Sequence, residues 1–305
     1  MKSSNPFSAG FSVLIPACRA AHFIGPTLAA VAAQSLRPAE VILFEDGRLD
    51  DLAGVTAAFA AQAPFPVRLL GVEKNSGVSR ARNALLRAAR GEFIAFLDAD
   101  DVWDSTHLAD AAAGFAAGAD VTFSGVTFID AAGQVIPGSA EPSATALADM
   151  APAMFQYNFV QCTSTLCVRR SWIKRVGDFD PALSHGEDLD LWLRLLAAGA
   201  VWRYTGRTSC AYRKHASSAM GQTRLATARL TAFYEKQLAN PLLPRRQRRA
   251  GLIGNLWVQA RLSWRDDPRA AAAALHRLSQ LQPWNPAALG GWAFTSARQR
   301  FSSRA

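Results

Sequence analysis

Cysteine is scarce in this 305-residue sequence: Cys18, Cys162, Cys167 and Cys210 are the four present. They form no C-x-x-C pair and no Cys/His pair at zinc spacing, so disulfides and structural zinc are unsupported and reduced, mostly buried thiols are expected. No apolar stretch reaches the roughly 18 to 20 residues that cross a bilayer. The first ten residues, Met1 to Gly10, lack the basic and apolar blocks of a signal peptide, which points to a cytoplasmic protein. Two phosphate-binding signatures are missing as well: GxGxxG does not follow the first apolar run, and GxxxxGK(S/T) occurs nowhere. Dinucleotide oxidoreductase and P-loop readings lose their main support, and no serine nucleophile elbow is present.

Acidic residues are thin in one region. Residues 216–305 hold 14 Lys+Arg against 3 Asp+Glu, a net of +11, whereas residues 1–215 hold 19 against 21, a net of −2. The overall charge of +9 is therefore a C-terminal property. It marks a boundary near residue 216, dividing the chain into 1–215 and a basic extension 216–305 that suits something anionic.

What is present is a chain 50% hydrophobic, enough for one large core and a smaller appendage. Phe11 to Ile15, Val41 to Phe44, Val67 to Val72 and Glu92 to Leu97 read as strands. Thr27 to Ser35, Asp50 to Ala61 and Val78 to Ala89 read as the helices between them. This alternation predicts an α/β fold with a mainly parallel sheet flanked by helices, and a ligand crevice beyond the C-terminal strand ends. Further on, Asp120 to Val135 reads as a hairpin around Ala131-Ala132-Gly133, and Glu187 to Ala198 as an amphipathic helix. Beyond Ser217 the chain reads as helical, interrupted by Pro241 and Pro244 before the run Arg245 to Arg249.

One strand end carries unusual chemistry. Phe93 to Leu97 runs straight into Asp98-Ala99-Asp100-Asp101, and carboxylates at the end of a buried strand need a compensating charge. Carboxylates spaced i, i+2 suit Mg²⁺ or Mn²⁺ carrying phosphate oxygens, although a solvated turn or helix cap has the same local signature. A second acidic pair, Glu187-Asp188, opens a helix, where pairing with the helix N-terminus is the plain explanation. Two acidic sites in one crevice allow a division of labour, one holding a metal-bound diphosphate and the other taking a proton from a hydroxyl.

These segments occur in a telling order: Ser12 to Pro16, Glu40 to Gly47, Asn75 to Asn83, Asp98 to Asp101, Gly177 to Asp180, and Gly186 to Arg194. The series resembles the family 2 glycosyltransferases of the GT-A fold, over roughly residues 9 to 215. The resemblance implies an inverting, hexosyltransferase-like enzyme of polysaccharide and cell-envelope biosynthesis. Its donor would be a nucleotide sugar, UDP-linked first, with dTDP and GDP open, and its acceptor a glycan or lipid-linked glycan. By the same resemblance, Pro16, Ala17 and Asp46 line the base pocket and Arg82 helps hold the nucleotide. Asp98 and Asp100 manage ribose and the metal-bound diphosphate, Asp188 is the general base with Glu187 beside it, and His215 is a candidate third metal ligand. Cys18-Arg19 and Glu45 depart from the family pattern, which leaves base and donor specificity open. A catalytically silent nucleotide-sugar-binding or scaffold protein is the rival reading. His22, His107, His185 and His276 have no motif around them and are expected to be ordinary. The basic segment, with Trp257, Trp264, Trp284 and Trp292, reads first as a helical cap with solvated arginines. The next reading is a peripheral patch for anionic membrane, and no nucleic-acid motif supports the third.

Overall fold

The computed structural model describes residues 10–215 and 223–293. The chain divides into two compact units, Met1–His215 and Ala216–Ala305. The charge step near residue 216 adjoins residues 216–222, which lie outside the described residues, as do 1–9 and 294–305.

In the first unit, β1 (Phe11–Ala17), β2 (Glu40–Asp46), β3 (Val67–Val72) and β4 (Phe93–Phe96) alternate with α1 (Ile24–Ala32), α2 (Leu52–Ala60) and α3 (Val78–Ala88). They form parallel ladders in the order β3-β2-β1-β4, the arrangement that helical crossovers permit. There follow β5 (Val102–Trp103), α4 (His107–Ala116), β6 (Val121–Ile129), β7 (Val135–Ala140), α5 (Ala144–Ala148) and α6 (Met150–Tyr157). The unit closes with β8 (Leu166–Arg169), α7 (Arg170–Val176), α8 (Glu187–Ala197) and β9 (Trp202–Arg213). Here the sheet departs from the mainly parallel expectation. β8 is antiparallel to both β4 and β6, β7 is antiparallel to β6, and β5 to β9, while β6 and β9 run parallel. The cause for β6 and β7 is local: the turn at 130–134, with Asp130 Oδ1 accepting from the Ala132 and Gln134 N–H groups at 2.9 Å, is too short for a crossover.

Strand alternation divides the core between two faces. Val13, Ile15, Val41 and Leu43 pack with Ile24, Leu28, Leu52, Leu108 and Phe115 of α1, α2 and α4. Leu14, Ile42, Phe44, Ile94 and Phe96 pack with Leu85, Leu191, Trp192 and Leu195 of α3 and α8. Because both faces are covered, β2 is buried along its whole length, as an apolar run in a parallel sheet should be. The result is a helix-sheet-helix sandwich whose β1, β2 and β4 end at the same edge.

The second unit holds α9 (Thr223–Gln237), α10 (Arg245–Ser263) and α11 (Pro268–Leu281), and residues 286–293 are helical. Its core is built from leucine and alanine, with Leu252, Leu256, Ala274, Leu275, Leu278 and Ala288 in contact. Asp267 caps α11 by accepting from the Ala270 N–H at 3.0 Å, with Pro268 at the first helical position, where its missing N–H costs nothing. Among the described residues, no helix is long and apolar enough to cross a membrane.

Candidate active site

The acidic loop after β4 is pinned by neighbours that the motif does not contain. Ser164 accepts from the Asp98 N–H at 2.9 Å and donates to Asp101 Oδ2. The Thr27 hydroxyl lies 2.8 Å from Asp101 O, and Trp103 Nε1 donates to Ser164 O at 2.7 Å. Asp101 itself is fully buried and accepts from the Arg213 N–H at 3.0 Å. Burial first, then Asp100 and Asp98, push its pKa well up. The third aspartate is thus a structural post for the other two.

Asp98 and Asp100 keep partial exposure. Asp98 Oδ1 accepts from Arg82 Nη2 at 2.8 Å, and Asp100 Oδ2 lies 2.9 Å from His215 Nε2. Burial, followed by the charge of Asp98, raises the Asp100 pKa, so the pair is short of positive charge. His215 reaches this place because β9 pairs with β5 beside the loop and ends on Arg213. Arg213 anchors that end, its Nε donating to Asp100 O at 2.7 Å and its Nη1 to Asp130 O at 3.0 Å.

Arg82 joins this loop to the start of α8. Nη2 holds Asp98 while Nη1 donates to Glu187 Oε1 at 2.7 Å, and the guanidinium lies 5.4 Å from the Phe179 ring centre. With 4% exposure, both prongs of its fork are committed inside the protein. Burial lowers its pKa, but Asp98 and Glu187 outweigh that and hold it above the ordinary arginine value. The neighbouring Asn83 clamps the segment that leads into α8: its Nδ2 donates to Phe179 O at 2.8 Å and its Oδ1 accepts from the Phe179 N–H at 2.9 Å. One turn of α3 therefore fixes where α8 begins.

Glu187 and Asp188 follow Gly186, whose φ of +75° suits glycine and turns the chain into the helix. Their environments differ. Glu187 is buried on Arg82, whereas Asp188 is partly exposed and accepts from the Leu189 N–H at 2.7 Å. Burial, reinforced by Glu187 and opposed by Arg82, raises Asp188 to about 6. Such a carboxylate is a stronger base than an ordinary aspartate and is still mostly ionised at neutral pH.

At the end of β2, Asp46 is 3% exposed. It accepts from the Ser76 N–H at 2.6 Å, the Ser76 hydroxyl at 2.7 Å and the Gly77 N–H at 2.8 Å. Most of its acceptor capacity is used in shaping the turn before α3, where Gly77 has φ +95°. Ala17 turns its methyl into the core, so it can offer a ligand only its backbone, while Pro16 keeps partial exposure.

The structure brings Asp98, Asp100, Arg82, Glu187, Asp188 and His215 into one linked cluster, with Pro16, Ala17 and Asp46 on the neighbouring strand ends. Ser164, Thr27 and Arg213 are the supporting residues that no sequence motif reveals. His107 is a buried packing residue: it stacks on Trp103 at 4.3 Å, bonds Ser209 at 2.8 Å, and is pulled by burial to a pKa of about 3. Cys162, Cys167 and Cys210 are buried free thiols and Cys18 is exposed. Asp101, Cys162 and Cys210 place ligand-type atoms within 4.8 Å of one another, yet both Asp101 oxygens are satisfied and Cys162 is held as a thiol by Cys210 and by burial.

Residues 12–177 match the family model for glycosyl transferase family 2. The chain belongs to that family. This glycosyltransferase is 29% identical over 211 residues, 68% of its length and 78% of the relative's, to the UDP-Glc:alpha-D-GlcNAc-diphosphoundecaprenol beta-1,3-glucosyltransferase WfaP of Escherichia coli. Its fold is similar to S. aureus TarS 1-349 in complex with UDP-GlcNAc, with TM-score 0.66, 19% identity, and coverage of 89% of this chain and 81% of that one. It spans 49% of a longer TarS chain. The mannosyltransferase PcManGT from Pyrobaculum calidifontis, in complex with GDP-Man and Mn2+, matches with TM-score 0.62 at 16% identity, covering 94% of this chain and 84% of that one. These likenesses identify the glycosyltransferase fold as GT-A. The family match ends at 177, so Asp188 and His215 join the site through the tertiary contacts above.

Proposed function

We propose that this glycosyltransferase moves a sugar from a UDP-sugar to a hydroxyl of a glycan or lipid-linked glycan, inverting the anomeric centre, in cell-envelope polysaccharide synthesis. The observation that carries the reading is the Asp98-Arg82-Glu187 bridge. It sets the leaving-group aspartates and the helix bearing Asp188 in one rigid frame, as in-line displacement needs. The UDP-Glc of WfaP and the UDP-GlcNAc bound to TarS support the nucleotide, and WfaP's diphosphoundecaprenol-linked substrate supports the acceptor class.

Two carboxylates and an imidazole, short of countercharge, form a donor set that fits Mn²⁺ or Mg²⁺. A divalent cation on Asp98, Asp100 and His215 would supply charge neutralisation for the departing diphosphate. The chain's own residues do the rest. Asp188 removes the acceptor hydroxyl proton as the oxygen attacks, Glu187 and Arg82 keep Asp188 and Asp98 in register, and Ser164 and Arg213 hold the acidic loop still. The backbone at Pro16 and Ala17 and the turn shaped by Asp46 form the side on which the base rests.

The test is transfer from UDP-glucose and UDP-GlcNAc to a prenyl-diphosphate-linked GlcNAc with Mn²⁺, Mg²⁺ or EDTA, and NMR of the product's anomeric proton. Asp100→Ala and Asp188→Asn should both abolish transfer. A product of retained configuration overturns the base assignment, and inactivity across a wide donor panel with folded protein overturns the reading.

A further inference from the structure

The C-terminal unit holds a cleft of about 850 Å³, bounded by Trp257, Val258 and Arg261 of α10, by Trp264 and Arg265 just past its end, and by Leu275 of α11. That volume is typical of small-molecule sites, which run from roughly 300 to 1,000 Å³. The chemistry described above makes no use of it. Trp257 and Arg261 fall at i and i+4 on α10, and Trp264, the C-cap with helical backbone angles, falls at i+7, so one side of the cleft is lined by two indole rings and a cation. Leu275 and Gly291, which also line the cleft, pack closely on each other: a Cβ on Gly291 would meet the Leu275 methyls at 3.3 Å. Val258, in the lining, is 37% exposed, and the same unit also exposes Trp284 75%, Leu289 42% and Trp292 37%. An apolar cleft edged by cations marks a binding site more often than ordinary exterior does.

Charge selects the occupant. Residues 223–293 carry 11 Lys+Arg against 3 Asp+Glu. The one carboxylate lining the cleft, Asp266, lies 3.8 Å from Arg224, which leaves Arg261 and Arg265 to set the sign of the rim. An apolar trough with guanidinium groups at its edge matches an amphiphile with one hydrocarbon chain and a phosphate head. We propose that the cleft seats the hydrocarbon chain of a lipid-linked phosphate, with Arg261 and Arg265 on the phosphate. This rests on the lipid-linked branch of the acceptor reading and places recognition of the lipid carrier in the C-terminal unit.

The test uses the full-length protein and farnesyl phosphate as probe, followed by tryptophan fluorescence, with farnesol, pyrophosphate and phosphatidylglycerol vesicles for comparison. Saturable farnesyl phosphate binding is expected, uncompeted by pyrophosphate. Val258→Asp, which puts a charge in the chain's path, and the pair Arg261→Glu/Arg265→Glu should each weaken it about tenfold or more. Only Val258→Asp should weaken farnesol, and donor hydrolysis should be unchanged in all of them. Asp188→Asn should bind the probe as wild type does, so a failure of sugar transfer and a failure of the cleft are read separately. The proposal is overturned by absent saturation or by equal affinity in Val258→Asp. It is also overturned if only vesicles bind, or if binding appears only once residues 294–305 are removed, which would make the chain's own end the occupant.

Discussion

Replacing Arg82 by methionine tests whether the site is framed from inside the protein. The change keeps an apolar stem against Phe179 and deletes two charge-assisted hydrogen bonds, at 2.8 Å to Asp98 and 2.7 Å to Glu187. Hydrogen bonds to charged groups contribute about 1.5 to 3 kcal/mol each, and breaking a buried ion pair from one side costs about 3 to 5 kcal/mol. Asp98 is 27% exposed and Glu187 10%. Water can therefore relieve Asp98 but not Glu187, and the expected loss is near 3 to 4 kcal/mol. A domain stable by about 5 to 15 kcal/mol still folds after such a loss. Urea unfolding at 25 °C reads the loss directly. Adding Glu187→Gln should recover part of it, because the second change removes the carboxylate left without its partner. Arg82→Lys, with one point charge in place of a fork, should fall between. A loss under about 1 kcal/mol, or no recovery in the double variant, refutes the framing argument. Weakened UDP binding at unchanged stability would instead mean that Arg82 faces the nucleotide.

Asp188→Asn should remove transfer and yet stabilise the fold. The folded-state pKa of Asp188 is raised from 3.8 to about 6, so its stabilising effect is complete below the unfolded value and is lost as pH rises through 6. The variant's advantage should grow between pH 4 and 6 and level off at up to roughly 3 kcal/mol. Wild-type kcat/KM should rise with pH along a limb centred near 6, and a flat profile from pH 5 to 8 counts against Asp188 as base. Asp46→Ala strips three hydrogen bonds from the turn before α3; it should raise the donor KM more than it lowers kcat and cost about 2 to 4 kcal/mol, measured by steady-state kinetics and thermal unfolding. His215→Ala should raise the Mn²⁺ concentration for half-maximal activity about tenfold, Asp100→Asn more so, and full activity in EDTA would discard the cation. Gly186→Ala forces an alanine to φ +75° and should cost about 1 kcal/mol, with a larger fall in kcat than in donor affinity.

Much of the first unit was legible because its signals are local. The run Val41 to Phe44 reads as a strand and lies within β2, which is buried along its length, and Val67 to Val72 is a strand with those same bounds. The acidic loop after β4 is legible through its company, because the signature of an apolar strand ending in three carboxylates is shared with solvated turns and helix caps until the other segments of the series stand beside it. β9 is the main omission. Residues 202–213 are half-buried and interrupted by Gly206 at φ +76°, so they show neither alternation nor a continuous apolar run, and only pairing with β6 and β5 makes them a strand.

The sequence by itself determined the sheet's parallel half, the family, and which residue types stand ready for chemistry, since periodicity and short motifs are properties of neighbours along the chain. It also determined the charge step at the start of the C-terminal unit. Only the tertiary structure decided how the acidic residues divide their roles. Asp101 is a post, Glu187 a partner of Arg82, and Asp188 the raised carboxylate, because burial and partners such as Arg82, Ser164 and Arg213, tens of positions away in sequence, act on them together with their neighbouring carboxylates. Arg82, which the resemblance implies helps hold the nucleotide, is seen only in the fold to join Asp98 to the start of α8 through Glu187.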